Sequence, residues 1–183
     1  MKELKGALEA ILFTSGEQTL HSLAEGLGVM QSEIEGALRE LQADYRERGV
    51  RLIRKGASVK LVTAASLGET LRAFHHRERR ESLTRAGLET LAIIVHKEPV
   101  TRSQIEEIRG VSSERIIRAL LMRGLIREVG RSEALGRPIL YATSLEFLAH
   151  FGLEVPEEIP ALPPEPELFP EEPAKKSGSL APE

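Results

Sequence analysis

Apolar residues along the first 75 positions follow the spacing of helices and then that of short strands. Three runs have apolar positions at intervals of three and four residues, which is typical of one helix face. Gly28 stands where a glycine ends the second of these helices. Two β-like runs and a short closing helix come next. The predicted segments are residues 4–12, 20–27 and 34–45 for the helices, 50–54 and 59–63 for the strands, and 67–74 for the closing helix.

The same order recurs about 80 residues later in the chain. Leu8-Glu9 returns as Leu88-Glu89, Gly28-Val29 as Gly110-Val111, and Ser66-Leu67 as Ser144-Leu145. Three residues of the third helix return as well, namely Ile34, Ala37 and Leu38 as Ile116, Ala119 and Leu120. Each match is weak alone, but their common order indicates a duplicated unit. Three helices followed by a hairpin predict a winged helix in each copy.

Helix ends in the second copy follow known capping rules. Pro99 stops the first helix, because the residue before a proline is pushed out of helical geometry. Thr101 and Gln104 have the spacing of a capping box. Ser112 is predicted to cap the third helix, and Gly124 to end it before the strand at 125–129. The wing turns through 133–138 and returns at 139–143, with a closing helix over Leu145, Leu148 and Phe151.

The end of the chain has a different composition. Eight of the ten prolines lie in the last thirty residues, among glutamates and few large apolar side chains, which predicts a solvated tail. The fold class is therefore mainly α with small β-hairpin wings, in two tandem winged-helix domains and a disordered tail. The expected boundaries are 1–78, 79–155 and 156–183, with the first break near the charged run at residues 75–81.

Charge is divided unevenly between the tail and the remainder of the chain. The net charge is −3, and from Glu154 onward eight glutamates stand against two lysines, so the remainder carries a net charge of +3. Affinity for nucleic acid comes largely from phosphate neutralisation. A body this weakly basic is not typical of a dedicated nucleic-acid binder, and any DNA contact is expected to be indirect or weak.

The residues for common chemistries are missing. The chain has no cysteine, which excludes disulfides and thiolate metal or redox chemistry. It has no glycine-rich phosphate loop, no His-Glu-x-x-His zinc motif and no Gly-x-Ser-x-Gly nucleophile turn. We therefore expect no catalytic residue, no cofactor and no metal site. No apolar run is long enough to span a membrane, and a cytoplasmic location is expected.

Binding is expected on exposed helix faces. A winged helix usually meets DNA through its third helix. In the first unit this helix turns small and acidic residues outward, whereas in the second Arg115, Arg118 and Met122 point outward opposite Ser113, Ile117, Leu120 and Gly124. This patch is a secondary candidate for partner contact. DNA is conceivable here, and a plain solvated helix face is at least as common.

The first helix of each unit has apolar residues on two sides. In the second unit Leu88, Leu91, Ala92 and Val95 are predicted to face inward, with Ile93 and Ile94 on the far side. Displacement by 80 residues places Phe13 at the position of Ile93. A helix that is apolar nearly all round must be covered on both sides. The cover is either the unit's own closing helix or another polypeptide, with Phe13 in a dimer contact and Ile93 and Ile94 against a partner.

Several segments of the second unit resemble segregation and condensation protein B of bacteria. They are residues 88–111, the stretch Gly124-Leu-Ile-Arg-Glu-Val-Gly-Arg131, the stretch Gly136-Arg-Pro-Ile-Leu-Tyr-Ala-Thr143, and Phe147-Leu-Ala-His-Phe-Gly-Leu153. The first unit matches more loosely, best at Ile11-Leu-Phe-Thr-Ser-Gly-Glu17. His96-Lys97-Glu98 stands where the family more often has a tyrosine and then a glutamine before the proline, and Met30 replaces a usual capping serine.

The resemblance implies a non-enzymatic homodimer, joined mainly through the first domains. It implies binding to the central segment of a kleisin subunit, ScpA, which bridges an SMC ATPase in chromosome condensation and segregation, and a nucleoid-associated place in the cytoplasm. The chief rival is a winged-helix DNA-binding transcription regulator, which the fold alone suggests.

Overall fold

The computed structural model describes residues 2–75 and 82–161. The chain forms two units with the same order of elements, each a group of helices with a three-stranded antiparallel sheet. The first contains α1 (Lys2–Ser15), β1 (Gln18–Thr19), α2 (Leu20–Leu27), α3 (Gln31–Asp44), β2 (Val50–Lys55), β3 (Ser58–Thr63), a 3-10 turn (Ala65–Leu67) and α4 (Gly68–Phe74). The second contains α5 (Arg85–Lys97), β4 (Val100–Thr101), α6 (Arg102–Arg109), α7 (Glu114–Met122), β5 (Ile126–Arg131), β6 (Ile139–Thr143), α8 (Leu145–Phe151) and a 3-10 turn (Pro156–Glu158).

The predicted fold class is confirmed, since small antiparallel sheets accompany a mainly helical chain. The sequence pattern missed the third strand of each sheet, because β1 and β4 are two residues long and show no periodicity. In both sheets the long returning strand lies in the centre, with orders β1-β3-β2 and β4-β6-β5.

Helix ends follow the predicted capping with one exception. Gly28 and Gly110 end α2 and α6 in left-handed conformation, with φ of 66° and 69°, which favours glycine. Thr101 and Gln104 form the expected capping box. Ser112 does not cap α7. Its hydroxyl bonds instead to Glu106, and Ser113 is the residue before the helix.

The displacement between the two units is 82 residues over their first three elements. Thr19 and Thr101 are equivalent N-caps, and Gly28 and Gly110 are equivalent C-caps. With this shift Leu12, which is 1% exposed, is equivalent to Ile94, which is fully buried. The Leu8-Glu9 and Leu88-Glu89 identity, which gave a displacement of 80, does not reflect equivalent positions.

The core face of α5 therefore differs from the prediction. Gly87, Thr90, Leu91 and Ile94 are buried, whereas Leu88 is 49% exposed and Ala92 is exposed. Compared with the predicted orientation, the helix is rotated about its axis by the angle of one residue, or roughly 100°. Thr90 fits inside because its hydroxyl donates to the carbonyl of Ala86. The expectation that Ile94 faces outward was wrong.

The first hairpin uses both of its faces. Leu52, Val59 and Leu61 pack into the core of the first unit. The alternate positions Ile53 and Val62 pack with the core of the second unit, where α8 lies across β2 and β3. This alternation is the period-two pattern of a strand that is covered on both sides. We call the contact between this hairpin face and the second unit the joint.

Polar groups surround the apolar centre of the joint. Glu98 accepts hydrogen bonds from the backbone N–H of Thr143, at 2.5 Å, and from its hydroxyl, at 2.8 Å. Lys55 pairs with the same carboxylate at 2.5 Å, and both side chains are largely buried, at 13% and 20% exposure. The outer ring of the joint contains the pairs Arg51–Glu154 and Lys60–Glu146 and a bond from the backbone N–H of Arg54 to the carbonyl of Glu154.

Gly152 and Ala65 mark the closest approach across the joint. Gly152 has a φ of 74°, and a Cβ at this position would lie 2.8 Å from the Cβ of Ala65. Both the backbone conformation and the lack of space require glycine here.

The described chain extends beyond the expected start of the tail. Residues 156–161 continue past the 3-10 turn, and Ile159 packs against the core of the second unit. The rest of the predicted tail, residues 162–183, and residues 76–81 of the expected domain break lie outside the described residues.

Replacing Ile94 with Ala is expected to lower the free energy of unfolding by about 2 to 5 kcal/mol, because it leaves a cavity in a fully buried site. Leu88→Ala on the same helix should cost less than about 1 kcal/mol, since that side chain is half exposed. Urea titration followed by circular dichroism measures both values. Equal losses would place Leu88 in the core and contradict the orientation of α5.

Replacing Lys55 with Met is expected to lower the free energy of unfolding by about 1 to 3 kcal/mol, because Glu98 then keeps a poorly solvated charge without its cation. The control is Arg85→Met, which removes the 95% exposed cation of the Arg85–Glu89 pair and should cost less than about 0.5 kcal/mol. Urea titration of both variants gives the comparison. If the Lys55 variant lost no more stability than the control, the joint would not depend on this ion pair.

Candidate functional site

The structure places the predicted contact residues in different environments. Phe13 is 82% exposed and Met122 is 85% exposed. Arg115 and Arg118 are exposed on α7, as expected. Ile93 is half-buried against the core of the second unit. Ile94 is fully buried, so it cannot touch a partner while the helix stays packed, and it is withdrawn as a contact residue.

One face of α1 is apolar and open to solvent. Gly6, Ala10 and Phe13 are all exposed and lie at intervals of four and three residues, which places them on one side of the helix. We call this the α1 face. It borders an open groove of about 520 Å³, which runs to the end of α3 and the start of β2. Val50 and Leu61 add apolar surface to the groove wall.

A polar group closes one side of this groove. The hydroxyl of Tyr45 donates to the carboxylate of Glu9 at 2.5 Å, and Arg48 lies over the tyrosine ring at 5.4 Å from its centroid. Burial and this hydrogen bond raise the pKa of Tyr45 to about 12, so the phenol stays neutral at physiological pH. The groove wall is therefore fixed in position by a bond between α1 and the end of α3.

The equivalent face of α5 is also open. Displacement by 82 residues carries Gly6, Ala10 and Phe13 onto Leu88, Ala92 and Val95. Leu88 is 49% exposed, Ala92 is exposed and Val95 is half-buried. We call these three residues the α5 face. These three residues were expected to face inward. The helix does carry more apolar residues than its core face needs, but they are Leu88 and Ala92 rather than Ile93 and Ile94.

The closing helices do not cover these faces. In α4 no residue is buried, and Phe74 is itself 76% exposed. In the second unit α8 lies instead on the hairpin of the first unit. Within residues 2–75 and 82–161, neither closing helix covers this side of the first helix, where Phe13, Leu88 and Ala92 are exposed. Exposed apolar surface of this kind can mark a contact with another polypeptide.

The patch on α7 is polar apart from Met122. Arg118 pairs with Glu114 at 3.0 Å, and the same carboxylate group lies 3.3 Å from Arg102. Arg115 has no carboxylate partner among the described residues. The outward direction of all three predicted patch residues is confirmed, and their role in binding stays a prediction.

Residues 2–75 and 82–161 contain no group of three or more histidine, aspartate or glutamate side chains placed to hold a metal ion. Within the same ranges no helix is long and apolar enough to cross a membrane.

Comparison with known proteins gives a consistent result over most of the chain. A family model described as segregation and condensation complex subunit ScpB matches residues 6–162. Segregation and condensation protein B of Geobacillus thermodenitrificans is 44% identical over 163 residues, covering 87% of this chain and 78% of that protein. The protein of the same name from Halalkalibacterium halodurans is 41% identical over 167 residues, covering 89% and 85%.

Among solved structures, a dimer of the ScpB N-terminal domain complexed with a ScpA peptide is 32% identical, covers 40% of this chain and 95% of that one, and has a TM-score of 0.39. Because the family model spans most of the chain and the relatives are matched over most of their own length, the chain belongs to the family of ScpB, a subunit of the segregation and condensation complex.

Proposed function

We propose that this chain is a non-enzymatic accessory subunit of an SMC-kleisin complex. It binds the central region of the kleisin ScpA as a homodimer, reaches the SMC ATPase through that kleisin, and supports chromosome condensation and segregation during cell division at the nucleoid. The observation that carries the proposal is the apolar face shared by α1 and α5, which no described residue of the chain covers, in a member of this family.

The α1 face suits a second copy of the chain. Phe13 provides a protruding ring, while Gly6 and Ala10 provide a shallow surface on the same helix. Seven residues separate Phe13 from Gly6, or about 10 Å along the axis. Two antiparallel copies of α1 would therefore place each ring over Gly6 of the second copy, with Ala10 near the two-fold axis. Such a contact is self-complementary, as a symmetric dimer requires.

The α5 face suits an apolar segment of the kleisin. Leu88, Ala92 and Val95 form a strip along one side of a helix, and the pair Arg85–Glu89 borders it at 3.1 Å. A helical or extended peptide with apolar residues can bury such a strip. Half-buried Ile93 lies beside the core and is retained as a secondary contact, since part of its surface is still accessible.

The two proposed binding roles belong to different domains. We assign dimerisation to residues 1–78 and kleisin binding to residues 79–155. The joint holds α1 and α5 in one arrangement, because α8 and the Lys55–Glu98 pair connect the two units. A dimer built on α1 would thus present two α5 faces in a fixed relation.

Replacing Phe13 with Asp is expected to raise the dimer dissociation constant by about 100-fold or more, because each interface would lose two buried rings and gain two charges. Sedimentation equilibrium of the full chain measures the change. Phe74→Asp is the matched control, since Phe74 is also an exposed phenylalanine of the first unit. A dimer that survives the first change and dissociates with the second would place the contact on α4 and contradict the proposal.

Replacing Leu88 and Ala92 together with Asp is expected to lower the affinity for ScpA at least tenfold, because two carboxylates would face an apolar segment of the kleisin. Calorimetric titration with the kleisin measures the affinity, and circular dichroism checks the fold. Arg85→Asp, which adds a carboxylate beside the strip on the same helix, should leave the affinity nearly unchanged.

A milder variant keeps the kleisin test decisive if the double variant loses its fold. Leu88→Ala removes apolar contact from a side chain that is already half exposed, so the unit should remain folded. It should still weaken kleisin binding several-fold. Unchanged affinity in a folded Leu88→Ala protein would exclude the α5 face as the kleisin contact.

A further inference from the structure

The second unit concentrates arginine on α7 and on its hairpin. Residues 114–137 contain six arginines and three glutamates, and every basic residue between Arg102 and Arg137 is arginine rather than lysine. The first unit uses both cations, with lysine at 2, 5, 55 and 60. Arginine presents a planar set of donors that matches phosphate oxygens, so a run of this kind differs from an ordinary solvated surface.

The hairpin of the second unit ends in a long, ordered wing. The loop between β5 and β6 runs from 132 to 138, whereas the first hairpin turns at Gly56 and Ala57. Across the wing the N–H of Ser132 donates to the carbonyl of Pro138, and the Arg131 guanidinium donates to the carbonyl of Arg137 at 3.1 Å. Arg137 has a φ of 43°, a conformation that non-glycine residues seldom adopt. The wing therefore brings Arg131 and Arg137 together at its base, with the side chain of one bonded to the backbone of the other.

This wing contributes nothing to the core. No residue from 127 to 137 is buried, and Leu135 at the tip is fully exposed. Strain at Arg137 and an ordered loop without core contacts indicate a segment kept for binding rather than for stability.

The two hairpins differ in how their cations are used. In the first, Arg51, Lys55 and Lys60 each pair with a carboxylate across the joint, at Glu154, Glu98 and Glu146. In the second, Arg127, Arg131 and Arg137 have no carboxylate partner within the part of the chain that the structure describes. These three cations of the first hairpin connect the two units, whereas the arginines of the second hairpin are not neutralised by a carboxylate of the described residues.

We propose that α7 and the wing of the second unit form a weak, sequence-independent binding surface for the phosphate backbone of duplex DNA. Four exposed arginines without carboxylate partners in the described ranges carry it: Arg115, Arg127, Arg131 and Arg137. This contact goes beyond the proposed kleisin and dimer functions. Glu114, Glu128 and Glu133 on the same elements keep the net charge low, which limits affinity but not the use of individual arginines.

Duplex DNA is favoured over an acidic peptide for two reasons. The cations are distributed over a helix and a projecting hairpin, which is how a helix-turn-helix unit follows a duplex, with one element in the groove and others on the backbone. The first unit has the same elements, but α3 carries four acidic residues, Glu33, Glu35, Glu40 and Asp44, against the single basic residue Arg39, so the basic character belongs to the second copy.

The test measures binding of the full chain to a labelled mixed-sequence duplex of about 30 base pairs, by fluorescence anisotropy between about 50 and 200 mM salt. Four phosphate contacts give an expected slope of log affinity against log salt of about −3.6. The Arg127→Gln and Arg137→Asn double variant should reduce the size of that slope by about two and weaken binding equally for two unrelated sequences. Asn is chosen at 137 because it tolerates positive φ.

The matched control removes two exposed arginines of the first unit, with Arg39→Gln and Arg46→Gln. It should leave the slope unchanged. The proposal would be overturned if the control and wing variants lost DNA affinity equally, or if the wild-type chain did not bind the duplex at about 50 mM salt. Tighter binding of a polyglutamate peptide with loss in the same wing variants would also overturn it, because that would assign the surface to acidic protein segments. The dimer mass and the kleisin affinity of the wing variants are measured as well. If both equal the wild-type values, a failure of the DNA proposal does not count against the proposed function.

Discussion

The carboxylate of Glu98 connects the two units of this chain. It accepts two hydrogen bonds from Thr143 in its own unit and pairs with Lys55 of the first hairpin. Around it, Ile53 lies in the core of the second unit, although it belongs to a strand of the first. A charge that is mostly removed from water needs all of these partners at once. The joint therefore depends on these contacts together, and the relative position of the α1 and α5 faces follows from them.

The sequence predicted most elements because their signals are local. The bounds of α2 were found from apolar spacing and the glycine that ends it, and α3 and α7 bury the residues that their periodicity indicated. The strands β1 and β4 were missed because two residues carry no pattern. Ser112 was wrongly predicted as a cap because the next residue is also a serine, and the sequence does not show that the Ser112 hydroxyl bonds to Glu106.

The candidate site was predicted in part. Exposure of Arg115, Arg118 and Met122 followed from helix periodicity, whereas that of Phe13 was predicted through a displacement of 80 onto Ile93, although its true equivalent is Val95. The orientation of α5 did not, because it rests on the true displacement of 82 residues and on the burial of Thr90. An alignment of the capping residues Thr19 and Thr101 would have given that displacement, since caps mark the same point of the fold whereas a repeated Leu-Glu pair does not. The joint left no readable signal in the sequence, because Lys55, Glu98 and Thr143 lie far apart along the chain and meet only in the tertiary structure.

Gly152 gives the joint a steric limit as well as an electrostatic one. Its neighbour Ala65 leaves no room for even one added methyl group, although neither residue belongs to the interior of its unit. A side chain at this point would push the two winged helices apart and draw Ile53 and Val62 away from the core of the second unit. In this chain, a single added carbon at position 152 is therefore enough to disturb the contact between the two units.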